Sequence, residues 1–281
     1  MTDDRSRRCA VLGSPIGHSL SPVIHRAAYS QLGLSWEYTA HEVGEDGLAG
    51  FLDELDDRWR GLSLTMPLKR VAIELAAHAS DVAQTVGAAN TLVRGDDGAW
   101  FADNTDVPGV VAALTERGVT SPRQVCVWGG GATAASVLTA LAFMDAGPVH
   151  IHVRSRERAR PVLAVACALD HPATPAAWTV GDECAAADLT VSTAPAGALD
   201  PLADQLSAAP TTGRAVFDVV YDPWPTPLVA GWTAAGGVAV SGLDLLIHQA
   251  VGQLRLMTGR DVPAQVLREA AETELASRAG A

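Results

Sequence analysis

The sequence predicts an α/β fold whose second half is a doubly wound parallel sheet. Three observations predict it. Short β-rich runs alternate with helix-like segments along nearly the whole chain, a glycine-rich turn joins a strand to a helix near the middle, and a Gly95-Asp96-Asp97-Gly98 hairpin signal interrupts the first hundred residues.

The elements follow in order. Residues 9–13 (CAVLG) are an apolar run closed by Gly-Ser-Pro, which predicts a strand. Residues 21–32 read as a helix with Ser21 as N-cap and Pro22 at the first helical position. Residues 36–43 alternate like a strand, 48–56 read as helix, 62–66 as a strand stopped by Pro67, and 69–78 as helix. Residues 91–93 and 100–102 flank the Gly-Asp-Asp-Gly turn as an antiparallel ribbon. A helix over 107–117 stops at Gly118. Residues 124–128, 149–153, 189–192, 216–219 and 238–240 are the later strands, and a long helix over 243–258 is closed by Gly259.

Composition excludes several functions. A chain of 281 residues with 48% hydrophobic side chains can bury one large core or two ordinary ones. A formal net charge of −12 argues against a nucleic-acid partner, which needs a basic face. No apolar run reaches the ~18 residues of a membrane span. The first eight residues are polar and charged, with no apolar signal-peptide core behind them. Cys9, Cys126, Cys167 and Cys184 show neither metal-ligand spacing nor a disulfide framework, so the expected location is the reducing cytoplasm. The eight histidines are scattered. His150 and His152 alternate on a strand with no third ligand in view, so no metal is expected.

The middle of the chain carries a cofactor signal. Gly129-Gly130-Gly131-Ala132-Thr133-Ala134 follows the strand ending at Trp128 and opens an Ala/Leu-rich helix. Such a turn lets backbone N–H groups approach a pyrophosphate at the positive end of the helix dipole. An ordinary tight strand-to-helix turn would look much the same. The next strand separates the two: it ends in Arg154-Ser155-Arg156-Glu157-Arg158, where an NAD-type site would place an acid. Arg154 and Arg158 form a cationic fork for a 2′-phosphate and Ser155 adds a hydroxyl, which predicts NADP. Basic residues are disfavoured at a helix N-terminus, so a cluster of them there calls for an anion.

Three further segments are more polar than a plain core needs. Ser19 and Ser21, spaced i, i+2 before a helix, could grip a carboxylate. Residues 63–69 place Thr65 and Lys69 just beyond a strand end. Residues 87–91 carry Asn90, and 103–106 end in Asp106. Each has a bland explanation in isolation: capping for Ser21 and Asp106, a solvated surface amine for Lys69.

Taken together, these segments resemble the shikimate dehydrogenase family, in that family's order and over nearly the whole chain. G-x-P-I-x-H-S-x-S-P matches 13–22, V-T-x-P-x-K matches 64–69 with Leu for Val, and G-A-x-N-T matches 87–91. N-T-D-x-x-G matches 104–109, Y-x-P-x-x-T-P matches 221–227, and G-L-x-x-L-x-x-Q-A matches 242–250. The resemblance implies two α/β domains with a cleft between them. A substrate-binding domain over 1–106 would be joined by the helices of 243–281, with a Rossmann-like NADP-binding domain over 107–242. It implies an NADP-dependent enzyme of chorismate and aromatic amino-acid biosynthesis that reversibly reduces 3-dehydroshikimate to shikimate.

Carried over by position, the resemblance makes Lys69 and Asp106 the catalytic pair. Ser19 and Ser21 would bind the substrate carboxylate; Thr65, Asn90, Asp106, Tyr221 and Gln249 would contact or line the ring hydroxyls. Gly129, Gly130, Gly131, Ala132 and Thr133 would hold the pyrophosphate, and Arg154, Ser155 and Arg158 the 2′-phosphate. Ser192, Thr193, Ala194, Val219 and Gly242 would lie along the nicotinamide half. Arg26, Ser63, Val153, Asp244 and Leu245 depart from the usual family pattern. The expected partners are a small-molecule substrate, no nucleic acid and no membrane, in a monomer or homodimer. Two rivals stand beside this: a quinate or quinate/shikimate dehydrogenase linked to NAD, and a non-catalytic NADP-binding sensor.

Overall fold

The computed structural model describes residues 6–208 and 211–280. The first five residues of the polar N-terminal segment lie outside the described residues. The chain divides into two compact units, one formed by the chain up to Thr105 with everything from Ile247 onward, the other by Asp106–Leu246.

The first unit runs β1 (Arg8–Gly13), α1 (Ser21–Leu32), β2 (Glu37–Glu42), α2 (Leu48–Asp53), β3 (Trp59–Leu64), α3 (Val71–Leu75), β4 (His78–Ala79), α4 (Asp81–Val86), β5 (Thr91–Arg94) and β6 (Trp100–Asp103). Its six-stranded sheet has the order β2-β1-β3-β5-β6-β4. β1 pairs in parallel with β2 and β3, while β5 pairs antiparallel with β3 and with β6, closing the expected ribbon. Leu12, Leu48, Leu62, Leu64, Leu68 and Leu92 fill one core cluster.

The second unit runs α5 (Asp106–Glu116), β7 (Val125–Trp128), α6 (Ala132–Phe143), β8 (Val149–Val153), α7 (Arg156–Ala168), β9 (Ala173–Ala177), α8 (Asp182–Ala186), β10 (Leu189–Ser192), α9 (Ala203–Ser207), β11 (Ala215–Asp218), α10 (Pro227–Ala234) and β12 (Val238–Ser241). All six strands are parallel in the order β12-β11-β10-β7-β8-β9, the doubly wound arrangement that the strand–helix alternation predicts. The strand order reverses beside β7, so a ligand crevice is expected at the carboxyl ends of β7 and β10. α11 (Gly242–Thr258) gives its first turn to this unit and the remainder to the first, where α12 (Ala264–Ala279) packs against α1.

Several boundaries differ from the sequence expectation. Ser21 is not the N-cap of α1. Leu20 already has helical backbone angles (φ −85°, ψ −10°), no side chain caps the helix end, and Ser19 Oγ accepts from the Ser21 N–H at 3.3 Å. The helix expected to Asp56 ends at Asp53, and the strand expected over 62–66 spans Trp59–Leu64. The helix expected over 69–78 shrinks to Val71–Leu75, because the following backbone bonds to the ribbon instead: Ala77 N donates to the Trp100 carbonyl and Ser80 N to the Ala102 carbonyl, both at 2.9 Å. α4, capped by Ser80, and β9 carry no expectation at all.

His25 is fully buried in α1 and stacks on Tyr38 with ring centroids 4.0 Å apart. Its Nδ1 lies 2.9 Å from the Ser21 carbonyl and so donates to it. Burial lowers its pKa from 6.5 to about 4. Between those values the unfolded chain binds a proton that the folded chain does not. Stability is therefore full above pH 6.5 and falls as the pH drops toward 4, by about 2 kcal/mol at pH 5 from this group. Urea unfolding at pH 7.5 and 5.0 should show a smaller acid loss in His25→Phe than in wild type. Equal losses would show that His25 does not carry the effect.

Candidate active site

The first unit brings four polar segments together by backbone bonds. β1 runs out at Gly13, and a Cβ there would collide with the Thr65 side chain and the Met66 carbonyl. Glycine thus lets the loop from Ser14 to Ser21 lie directly on the loop after β3. Ser14 N donates to the Met66 carbonyl and Thr65 N to the Leu12 carbonyl, both at 2.9 Å. Ser14 Oγ donates to Glu42 Oε1 at 3.0 Å, and Arg278 of α12 holds the His18 carbonyl at 2.9 Å. Farther along, Leu64 N donates to the Asn90 carbonyl at 2.7 Å and Ala89 N to the Lys69 carbonyl at 2.6 Å. Ser19, Thr65 and Lys69 remain partly exposed on this scaffold, while Ser21 is buried.

Asn90 is the hub of a buried network. Its Nδ2 donates to Thr105 Oγ1 at 3.0 Å and to Gln249 Oε1 at 3.1 Å, while its Oδ1 accepts from Thr105 N at 2.8 Å. Gln253 Nε2 donates to the Asn90 carbonyl and to Thr91 Oγ1, both at 3.1 Å. Ser63 Oγ donates to Gln253 Oε1 at 2.7 Å and accepts from Tyr38 at 2.6 Å. Nearly every buried polar group here has a partner, which fixes the hub in one arrangement. Gln253 supports this network from outside every matched motif, and Thr105, the Thr of the N-T-D match, supports it without having been given a role. The one signal for Gln253 was its spacing of four from Gln249, on the same helix face. Ser63, a departure from the family pattern, is the link between Tyr38 and Gln253.

Lys69 and Asp106 are both referred to this hub. The Lys69 carbonyl is held by the residue before Asn90, and Asp106 follows Thr105, whose amide is held by Asn90 itself. Asp106 is buried at the first position of α5, where the helix dipole favours a carboxylate.

In the second unit the residues fit a dinucleotide. Gly129 has φ +129°, a backbone conformation side chains rarely adopt. A Cβ at Gly129 would meet Thr193 Oγ1, and one at Gly130 would meet the Arg158 carbonyl. Glycine therefore lets β7, β10 and the first turn of α7 crowd around one turn. α6 starts at Ala132 with no side-chain cap and no acidic residue in its first turn, leaving its amides to a ligand anion. Thr133 lies in that turn, and Ser192, Thr193 and Ala194 follow at the end of β10.

Of the residues predicted to hold the 2′-phosphate, Arg154 and Ser155 line a recess with Val153, Arg156, Pro175, Ala176, Ala177 and Trp178. The Arg154 guanidinium lies over the Trp178 ring, 5.1 Å from its centroid. Arg158 is outside this wall: its backbone carbonyl backs Gly130 and its side chain is exposed. Arg156 and Trp178 take part without having been singled out. Trp178 follows β9, whose sequence Ala-Thr-Pro-Ala-Ala carries no apolar alternation.

At the end of β11, Asp218 fixes the segment that carries Tyr221. Its carboxylate accepts from Val220 N at 3.2 Å and from Thr226 Oγ1 at 2.9 Å, and burial raises its pKa. Val219 N donates to the Ser192 carbonyl at 3.0 Å, and Gly242 meets the Val219 carbonyl where no Cβ would fit. Asp244, another departure, forms a reciprocal cap: its Oδ2 accepts from Ser241 N at 2.9 Å and its N donates to Ser241 Oγ at 3.0 Å. Arg117 donates to the same carboxylate at 3.2 Å. Taken unit by unit, the first offers hydroxyls, amides and an amine suited to a small polar ligand, and the second offers a glycine-rich turn and basic side chains suited to a dinucleotide phosphate. No helix among the described residues is long and apolar enough to cross a membrane.

Comparison with known proteins agrees with this chemistry. Residues 11–92 match the model of the shikimate dehydrogenase substrate binding domain, and residues 242–272 that of the shikimate 5'-dehydrogenase C-terminal domain. A protein named shikimate dehydrogenase (NADP(+)) from Thermosynechococcus vestitus is 34% identical over 94% of this chain and 94% of its own. A crystal structure of a shikimate 5-dehydrogenase from Mycobacterium fortuitum superposes with a TM-score of 0.85 at 42% identity, covering 95% of this chain and 98% of the other. That of the Thermus thermophilus enzyme in complex with NADP(H) and shikimate has a TM-score of 0.83 at 33% identity, covering 95% and 99%.

Proposed function

This chain belongs to the shikimate dehydrogenase family, and we propose that Lys69 and Asp106 are the catalytic pair with which it interconverts 3-dehydroshikimate and shikimate. It is an NADP-dependent oxidoreductase acting on a CH–OH group. When bound, NADP(H) supplies or accepts the hydride at the carbon bearing the 3-oxygen. The protein's own residues handle everything else.

In reduction, the Lys69 ammonium gives a proton to the developing alkoxide; in oxidation, its neutral amine takes that proton back. Asp106 orients Lys69 and the substrate hydroxyl and acts with Lys69 as one unit in that transfer. Ser19 and Ser21 hold the substrate carboxylate. Thr65, Tyr221 and Gln249 line the ring hydroxyls, with Asn90 holding Gln249 in place. Gly129, Gly130, Gly131, Ala132 and Thr133 hold the pyrophosphate, and Arg154, Ser155 and Arg158 the 2′-phosphate. Ser192, Thr193, Ala194, Val219 and Gly242 border the nicotinamide.

The observation that carries the assignment of the pair is the hydrogen-bonded hub at Asn90, to which the positions of Lys69 and Asp106 are both tied through the backbone. The reading extends to a cytoplasmic protein, monomeric or homodimeric, and four cysteines without disulfides support a reducing compartment. The test is an absorbance assay of the purified protein with shikimate or quinate against NADP or NAD. Turnover should be fastest with shikimate and NADP. Faster turnover of quinate would reassign the substrate, and no turnover with any pair would favour the sensor.

A further inference from the structure

The fold gathers three side chains that the sequence scatters. Cys126 on β7, His152 on β8 and Cys184 on α8 offer ligand atoms that all lie within 4.8 Å of one another, and all three residues are buried. We propose that Cys126, His152 and Cys184 form a zinc site within the nucleotide-binding unit, with the fourth position open to water beside the Glu183 carboxylate.

The two shortest ligand–ligand distances are those of a tetrahedral thiolate site. With Zn–S near 2.3 Å and Zn–N near 2.0–2.1 Å, a tetrahedron has an S···S edge of about 3.8 Å and an S···N edge of about 3.6 Å. Here Cys126 Sγ lies 3.8 Å from Cys184 Sγ, and Cys184 Sγ lies 3.5 Å from His152 Nε2. Glu183 Oε1 is 3.8 Å from the same Nε2, and its side chain is 29% exposed, which gives the ion an entry path from solvent.

The surroundings prepare the ligands. His152 Nδ1 lies 2.7 Å from the Ala177 carbonyl and must donate to it, so Nε2 is the nitrogen turned toward the sulfurs. Trp128 stacks on the imidazole with centroids 4.0 Å apart and fixes its plane. Arg214 Nη2 donates to the Cys184 carbonyl at 2.7 Å and Arg214 Nε to the Ala187 carbonyl at 2.5 Å, pinning α8. On binding, Zn²⁺ would displace the thiol protons to solvent, two if both start protonated, and take the lone pair of neutral His152. No electron transfer is involved. The site would clamp α8 to the sheet beneath Trp128, which also packs edge-on against Trp178 of the phosphate recess, at 5.3 Å.

The test uses the full chain, purified under reductant without chelator and loaded with Zn²⁺ or Co²⁺. After gel filtration the protein should retain about one ion per chain. The Co²⁺ form should show the strong visible d–d bands of a tetrahedral site with thiolate-to-cobalt charge transfer. Cys184→Ser and Cys126→Ser should each cut retention at least ~10-fold, while Cys167→Ser, at an exposed cysteine, should leave it unchanged. A wild-type protein without the cobalt bands would overturn the proposal, and this measurement needs no variant to fold. So would unchanged retention in Cys184→Ser. A Cys126–Cys184 disulfide formed in air by a protein that retains no metal would assign the cluster to thiol oxidation instead.

Discussion

Lys69→Ala should lower kcat by about 10²–10⁴ while changing KM for shikimate by only a few-fold. The side chain is assigned a task that matters in the transition state, where charge builds on the oxygen, and little role in ground-state binding. The substitution leaves the scaffold alone. The Lys69 carbonyl still accepts from Ala89 N, and the loop before it remains tied to β1 through Thr65 N. Its unfolding midpoint should therefore stay near that of wild type. The kinetics are read from initial rates at saturating NADP over a range of shikimate. Turnover like that of wild type would remove Lys69 from the reaction, and a large rise in KM with unchanged kcat would make it a binding residue.

Arg154→Ala should reduce the preference for NADPH over NADH by about 10–100-fold, the worth of one charge-assisted hydrogen bond to phosphate. The loss should fall on KM for NADPH, with NADH kinetics nearly unchanged, because only NADPH carries the 2′-phosphate. The geometry ranks the two arginines of the predicted fork. Arg154 lines the recess and lies over Trp178, whereas Arg158 contributes its backbone to the Gly130 contact and points its side chain to solvent. Arg158→Ala should therefore cost less than Arg154→Ala. Comparable kinetics with both cofactors in wild type and Arg154→Ala would remove the argument for NADP from this recess.

Much of this fold is legible in the sequence. Short β-rich runs separated by helix-like or Gly/Pro-punctuated segments predicted the later strands, because a parallel strand buried on both faces needs such residues. The glycine-rich turn was readable because its chemistry is local. What escaped was set by tertiary packing. β9 contains a proline and small residues and becomes a strand only by pairing with β8. The segment after Lys69 reads as helix, yet its backbone finds partners on β6. Gln253 acts through bonds that span the chain, to Ser63 and to residues 90 and 91, and Asp218 acts on a loop that its own strand does not predict. Cys126 and Cys184 lie 58 residues apart, so the expectation that the cysteines and histidines stand alone fails once β7, β8 and α8 come together.

The central claim is that Lys69 and Asp106 act as one proton site, and a double-mutant cycle on kcat tests it most directly. Lys69→Ala, Asp106→Asn and the double variant are compared under one set of conditions. Groups that serve as a unit lose their effect together, so the double variant should be only slightly slower than Lys69→Ala alone. Losses that multiply, with the double variant slower by the product of the two single effects, would contradict the account.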